Sequence, residues 1–241
     1  MKTAALPGVV AVAWLCAPAA AFAAPSVSLL VVGKTHVLRG PTAVPLRATT
    51  IRAGGKRCNV LAATPMAALA RARLTLRIRD LGSCGRDPRD AGAIYVAQIG
   101  AEREAGRGGW VYKVGRRSGT TSAGDPTGPF GTGRRLRGGE RVLWFWCELD
   151  RADACQRTLE ATPAVSTVTA GAPLRVTVRG YDDAGRGVPV KGATVRLGGS
   201  SALTGADGVA TVTAPSTAGS FRLHAEKDGL VRSFGRLVTV R

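Results

Sequence analysis

Acidic side chains, aromatic rings and catalytic residue types are all scarce in this sequence, and each shortage excludes something. Sixteen Asp and Glu stand against 34 Lys and Arg, a formal charge of +18. So few carboxylates leave little from which to build an oxygen cage for a metal or a general acid–base pair. The only two histidines, His36 and His224, fall in opposite halves of the chain. His224 lies within the alternating stretch Phe221–Ala225 and reads as a strand-face residue. No G-x-S-x-G elbow, H-E-x-x-H helix or phosphate-binding P-loop occurs. The adjacent carboxylates Asp182-Asp183 are followed by Ala184-Gly185 and read as turn residues. Joined by Asp207 they would still fall short of the roughly six oxygens a calcium site needs. No catalytic residue, metal site or cofactor is expected. A hydrolase built around Glu102 or Asp125 is the enzymatic alternative.

Long apolar runs are absent as well. The run Ala4–Leu15 is too short for a membrane span of about 20 residues. It follows Lys2 and precedes Ala21-Phe22-Ala23, the layout of a secretory signal cleaved after Ala23. Residues 1–23 are therefore expected to be removed, placing Ala24–Arg241 in an oxidising, extracytoplasmic compartment, secreted or associated with a cell wall. Export argues against nucleic acid as the partner of so basic a chain. Residues 24–156 carry 22 basic and 10 acidic side chains, net +12; residues 157–241 carry 11 and 6, net +5. Such a surface would attract an anionic wall polymer, an acidic glycan or an acidic protein. The positive charges are scattered rather than clustered, so a plain solvated basic surface is the alternative.

What the sequence has in quantity is Gly, Pro, Thr and Val, which favour short strands and turns. Val27–Val32, Val44–Ile51, Leu74–Ile78, Ala93–Ile99, Trp110–Val114 and Val142–Cys147 read as strands. Thr64-Pro65 reads as a helix start, with Thr as cap and Pro at the first helical position, followed by Met66 to Ala72. One helix among several strands predicts a small α+β domain over residues 24–156. After Cys155 the pattern changes. Leu174–Val178, Ala193–Leu197, Val209–Val212, Phe221–Ala225 and Leu237–Val240 alternate, separated by Gly- and Asp-rich turns and without any helical period. Residues 157–241 are expected to form an all-β sandwich of the immunoglobulin-like kind.

Four cysteines follow the signal, Cys58, Cys84, Cys147 and Cys155, all in the first half. Three pairings are possible. The simplest joins Cys58 to Cys84 and Cys147 to Cys155, since each bridge closes a local segment. No C-x-x-C occurs, and the spacings do not suit a zinc module.

The helix Thr64-Pro65-Met66-Ala67-Ala68-Leu69, the strand Ala93–Ile99, the W-x-Y-x-V strand Gly109-Trp110-Val111-Tyr112-Lys113-Val114 and the closing Leu136–Trp146 together resemble the transcobalamin C-terminal-like family. The resemblance covers about residues 27–147 and implies a β-grasp-like fold. The sequence departs from the family after Val114, where Gly115-Arg116-Arg117 leads into a long inserted loop. Cobalamin binding in animal carriers needs a helical partner domain that this chain lacks. The segment Val188–Val195, with Thr204-Gly205-Ala206-Asp207-Gly208, resembles bacterial immunoglobulin-like or carboxypeptidase-regulatory-like domains, which implies a spacer or adhesion module.

Two groups of residues are candidates for ligand binding. Trp110 and Tyr112 are two apart, as are Trp144 and Trp146, so each pair shares a strand face. Covered, the four rings make a core; open, they make a stacking platform. Leu143 and Phe145 point the other way, which predicts a central strand covered on both sides. The second group is Arg116, Arg117, Arg134 and Arg135, which flank the Gly/Pro-rich loop Ser118–Gly133 and would make its base strongly positive. A loop of about 16 residues without periodicity is either functional or mobile. The sequence as a whole reads as a secreted, non-enzymatic binding or adhesion module. A structural spacer held in the envelope by charge is the alternative.

Overall fold

The computed structural model describes residues 24–241; the expected export signal lies outside the described residues. In chain order the first half contains β1 (Ser26–Val32), β2 (Val37–Pro45), β3 (Thr49–Ala53), β4 (Lys56–Val60), α1 (Pro65–Ala70) and β5 (Leu76–Asp80). After a 3-10 turn at Pro88–Ala93 come β6 (Ile94–Ile99), β7 (Glu102–Arg103), β8 (Gly108–Val114), β9 (Arg117–Ser118) and β10 (Arg141–Glu148). The second half runs β11 (Thr158–Pro163), β12 (Thr167–Val168), β13 (Pro173–Tyr181), β14 (Gly187–Pro189) and β15 (Thr194–Leu197). It ends with β16 (Ser200–Leu203), β17 (Val209–Thr213), β18 (Gly219–Glu226) and β19 (Arg236–Val240).

The first half is an α+β unit with two five-stranded sheets, ordered β2-β1-β10-β8-β9 and β4-β3-β5-β6-β7. In the first sheet β1 lies parallel to β10, with Ser28 opposite Arg141 and Val32 opposite Phe145. Helix α1 is buried on nearly every side, so its short, small-residue sequence suits the space between the sheets. Thr64 caps it, its hydroxyl accepting from the Ala67 amide at 3.2 Å. Met66 and Leu69 join Leu29, Val31, Ile78 and Ile99 in one core. Gly54 and Gly55 take φ of +55° and +85°, which allows the two-residue turn joining β3 to β4.

Disulfides join Cys58 to Cys84 and Cys147 to Cys155. The first ties β4 to the loop after β5; the second ties the end of β10 to the link into the second half.

The second half is an immunoglobulin-like sandwich. One sheet runs β11-β13-β14, with β17 also on β13, and the other runs β12-β19-β18-β15-β16. Inward positions such as Val176, Val178, Val195, Leu197, Leu223 and Val238 fill the space between them.

The first half is a mixed α+β unit, and its core is shared by a second five-stranded sheet. One expected strand needs correction. The expected strand Val44–Ile51 is broken at Leu46–Ala48, between β2 and β3. Strand β2 itself carries Gly40 and Pro41, which disfavour a central strand but are tolerated at this sheet edge.

Candidate functional site

The aromatic face is core. Trp110, Tyr112, Trp144 and Trp146 are each between 2 and 6% exposed. Trp110 meets Trp146 edge to face at 5.7 Å, and Tyr112 meets Trp144 at 5.3 Å. Their polar atoms face inward to protein: Trp110 Nε1 donates to the Glu102 carbonyl at 3.0 Å and the Tyr112 hydroxyl to the Thr121 carbonyl at 2.8 Å. Trp110 and Tyr112 are thus removed as an open stacking platform. A small sheet stacked on a second one needs large rings to fill the gap, and these supply them.

The loop Ser118–Gly133 is the lid over that face. A Cβ at Gly119 would lie 2.1 Å from the Tyr112 ring. The Ala123 carbonyl accepts from the Met66 amide at 2.8 Å, pinning the loop to the start of α1. Phe130 packs against the core. The four flanking arginines do not form one positive patch. Arg116 Nε bonds Glu160 at 2.6 Å, and Arg134 pairs with Glu140. Arg117 stacks over the Phe130 ring at 4.9 Å. Of the four, Arg117 and Arg135 form no ion pair among the described residues. Half of the predicted charge is therefore neutralised within the protein. Beside this loop is a pocket of about 520 Å³ whose lining includes Arg116, Arg117, Phe130 and Arg141.

The outer face of β1, β8 and β10 is covered by the second half, an arrangement the sequence reading did not foresee. Leu30, Val32, Leu143, Phe145 and Cys147 pack with Val231 and Phe234. At the edge of this apolar patch sits Lys113, fully buried and directly opposite Leu143. Its ammonium donates to the carbonyls of Tyr181 and Asp182 at 3.1 and 2.9 Å and lies 3.6 Å from the Asp183 carboxylate. Burial pushes the Lys113 amine below its ordinary value, and the Asp183 charge opposes that. Asp183 also receives the Ser118 hydroxyl at 2.7 Å and the Cys155 amide at 3.1 Å.

A second polar knot lies close by. Glu160, on β11, receives Arg116 at 2.6 Å, Arg141 at 2.8 Å and Arg236 at 2.8 Å. Burial alone would raise its carboxyl. The bonds from Arg116 and Arg141, the Arg141 charge and the Arg236 bond outweigh burial and hold it at about 2. Both knots join residues before 148 to residues after 157, so the two halves meet through buried, charge-assisted bonds as well as apolar contact. A signal for Lys113 was available: a strand beside a centre strand covered on both faces has no wet face for a lysine. Glu160 gave none.

Along the same seam runs a cleft of about 990 Å³. Lys34, His36, Glu148 and Gln156 line it from one half, and Arg196 and Glu226 from the other. Lys34 also caps the Trp146 ring at 4.1 Å.

Among the described residues no three His, Cys, Asp or Glu side chains gather to hold a metal ion. No helix among them is long and apolar enough to cross a membrane. His36 lines the cleft, whereas His224 sits on β18 with burial lowering its imidazole from the ordinary value. Glu102 receives the Lys34 amide at 3.0 and 2.9 Å, and Asp125 closes a turn on Thr127.

No protein-family model and no curated protein matches this chain. Among solved structures it is similar to the D00-D0 domain of Intimin, at 13% identity and a TM-score of 0.28 over 89% of this chain and 96% of that one. The D0-D1 domain of Intimin gives 15% identity and the same TM-score, 0.28, over 69% and 75%.

Proposed function

We propose that the chain is a secreted, non-enzymatic binding module whose ligand is held in the cleft where its two halves meet. The observation that carries this is the cleft itself: about 990 Å³, walled from both sides by polar and charged side chains. That volume is at the upper end of ordinary ligand pockets, roughly 300–1,000 Å³. Its walls are held by a buried seam, so the cleft is formed before a ligand arrives, which favours affinity. The mixed charge of the lining suits a polar glycan or an extended peptide better than an apolar molecule.

Two finer assignments accompany this reading. The parallel pairing of β1 with β10 and the helix packed against their sheet support a β-grasp-like relationship for the first half. The immunoglobulin-like sandwich supports a spacer role for the second, presenting the cleft away from an anchoring surface.

A screen of the protein from Ala24 onward against immobilised wall polymers, glycans and envelope proteins tests the proposal. A specific ligand should lose affinity when His36→Ala and Asp228→Asn are combined, since both residues line the cleft and are exposed. Retention of every interaction by that variant would sink the cleft as the site.

The second reading, a spacer held in the envelope by charge, is favoured by the unpaired outward arginines Arg117 and Arg135 beside the loop. Its signature is retention on isolated walls that vanishes in moderate salt, because exposed charges are screened beyond about 10 Å at 0.1 M.

A further inference from the structure

A second, smaller pocket adjoins the cleft and differs from it in charge. It encloses about 350 Å³ and is lined by Arg39 from β2, Arg222 from β18, Arg232 from the segment before β19, and Leu30, Ser233 and Gly235. No carboxylate lines it. None of its three arginines forms an ion pair among the described residues, although most carboxylates in the protein are engaged by a basic partner. Glu226, whose charge reaches Arg232, is itself held by Arg196 at 2.5 Å.

The pocket is built rather than incidental. The Arg39 Nε–H is buried and has no acceptor, a cost ordinarily relieved by a partner. Burial presses the Arg232 guanidinium below its ordinary value. Ser233, fully enclosed, fixes the segment that carries Arg232: its hydroxyl donor-acceptor group takes the Ala225 amide at 2.8 Å, and its own amide donates to the Ala225 carbonyl at 2.9 Å. Arg222 lies across Gly235, where a Cβ would come within 2.4 Å of its Cγ and Cδ. Glycine at 235 therefore sets the path of the Arg222 side chain toward the pocket.

Three arginines lining one small pocket whose walls hold no carboxylate present a basic surface, and a multivalent oxyanion is the species that such a lining suits. Planar N–H forks match the oxygen pairs of a tetrahedral dianion. We propose that this pocket binds a phosphate group through Arg39, Arg222 and Arg232, either as the free ion or as a phosphomonoester carried by a larger molecule. The site is distinct from the cleft reading, though the two cavities share Val37 and Arg232 at their border.

The test is isothermal titration calorimetry of the full chain from Ala24 at low, constant ionic strength, with inorganic phosphate and with sn-glycerol 3-phosphate as probes. Saturable one-site binding of at least one probe, displaced by sulfate, is expected. Arg222→Gln, at an exposed position, should weaken it at least about tenfold, the usual worth of a charge-assisted bond. Gly235→Ala should weaken it as well, although it leaves every charge in place, because Arg222 must move. Arg151→Gln, an exposed change of equal charge elsewhere, should leave it unaltered.

Tighter binding of glycerol phosphate than of inorganic phosphate identifies a carried group, and equal binding identifies the ion; both support the site. No saturable heat with either probe, equal affinity in Arg222→Gln and Gly235→Ala, or an equal loss in Arg151→Gln would overturn it. Phosphate binding alongside a failed glycan and protein screen would uphold this pocket and sink the cleft, and the reverse result would do the opposite.

Discussion

Replacing Glu160 with glutamine perturbs the seam at its most charged point while conserving shape. In the folded protein the carboxyl is held at about 2 against an ordinary value of 4.5. At about 1.4 kcal/mol for each pH unit, that difference contributes about 3 kcal/mol of stability at neutral pH. Because the folded value is depressed, the contribution is complete above about pH 4.5 and disappears as the pH falls toward 2. Glutamine removes the charge and leaves Arg116, Arg141 and Arg236, each partly exposed, around a neutral amide.

Urea unfolding reads the effect with two probes. The described tryptophans, Trp110, Trp144 and Trp146, all lie in the first half, so fluorescence follows that half; far-ultraviolet dichroism follows both. In the wild type at pH 7 the two curves should coincide. In Glu160→Gln the transition should fall by about 3 kcal/mol, and the curves should separate as the halves uncouple. The variant should also lose less stability than the wild type between pH 5 and pH 2.5. Equal stability at pH 7, or an equally steep acid limb, would refute the account of Glu160 as the charge that fastens the seam.

Lys113→Met should lower stability by about 1–3 kcal/mol in thermal unfolding, because the carbonyls of Tyr181 and Asp182 lose their donor; an unchanged midpoint would contradict the role given to Lys113. Removing the Cys58–Cys84 bridge by paired serine substitutions should cost roughly 3.5 kcal/mol by loop entropy, against about 2.5 for Cys147–Cys155, measured in urea. Gly119→Ala should destabilise by about 1–3 kcal/mol, since the new methyl meets the Tyr112 ring; tolerance would mean that the loop lifts freely from the core. Arg117→Ser with Arg135→Ser should leave unfolding unchanged yet reduce retention on isolated walls at low salt, whereas Arg116→Ser should shift the unfolding curve.

The sequence revealed most where one local rule decides the outcome. The capped turn at Thr64-Pro65, the Gly54-Gly55 hairpin and the local cysteine pairs needed no knowledge of distant residues. Trp144 and Trp146 alternating with Leu143 and Phe145 announced a strand covered on both faces. The identity of the second cover was hidden, because nothing within Arg141–Glu148 names Val231 or Phe234 as its partners. Strands β2 and β4 escaped notice because edge strands tolerate the Gly, Pro, Lys and Arg that usually mark turns. The loop arginines were misjudged for a related reason: spacing shows that Arg116 and Arg134 flank one loop, but not that Glu160 and Glu140 await them. The three arginines of the phosphate pocket come from positions 39, 222 and 232 and share no sequence pattern at all.

The parallel pairing of β1 with β10 also governs when this molecule can fold. Ser28 finds its partner Arg141 only after nearly all of the first half has been made. Closing so long a loop is slow, and folding rates fall as contacting residues lie farther apart along the chain. A chain emerging amino-terminus first therefore has no way to complete its central sheet until β10 arrives. Until then β1 can pair only through the hairpin with β2. Slow closure would keep the leading segment extended and threadable, the state in which a polypeptide passes through a narrow channel.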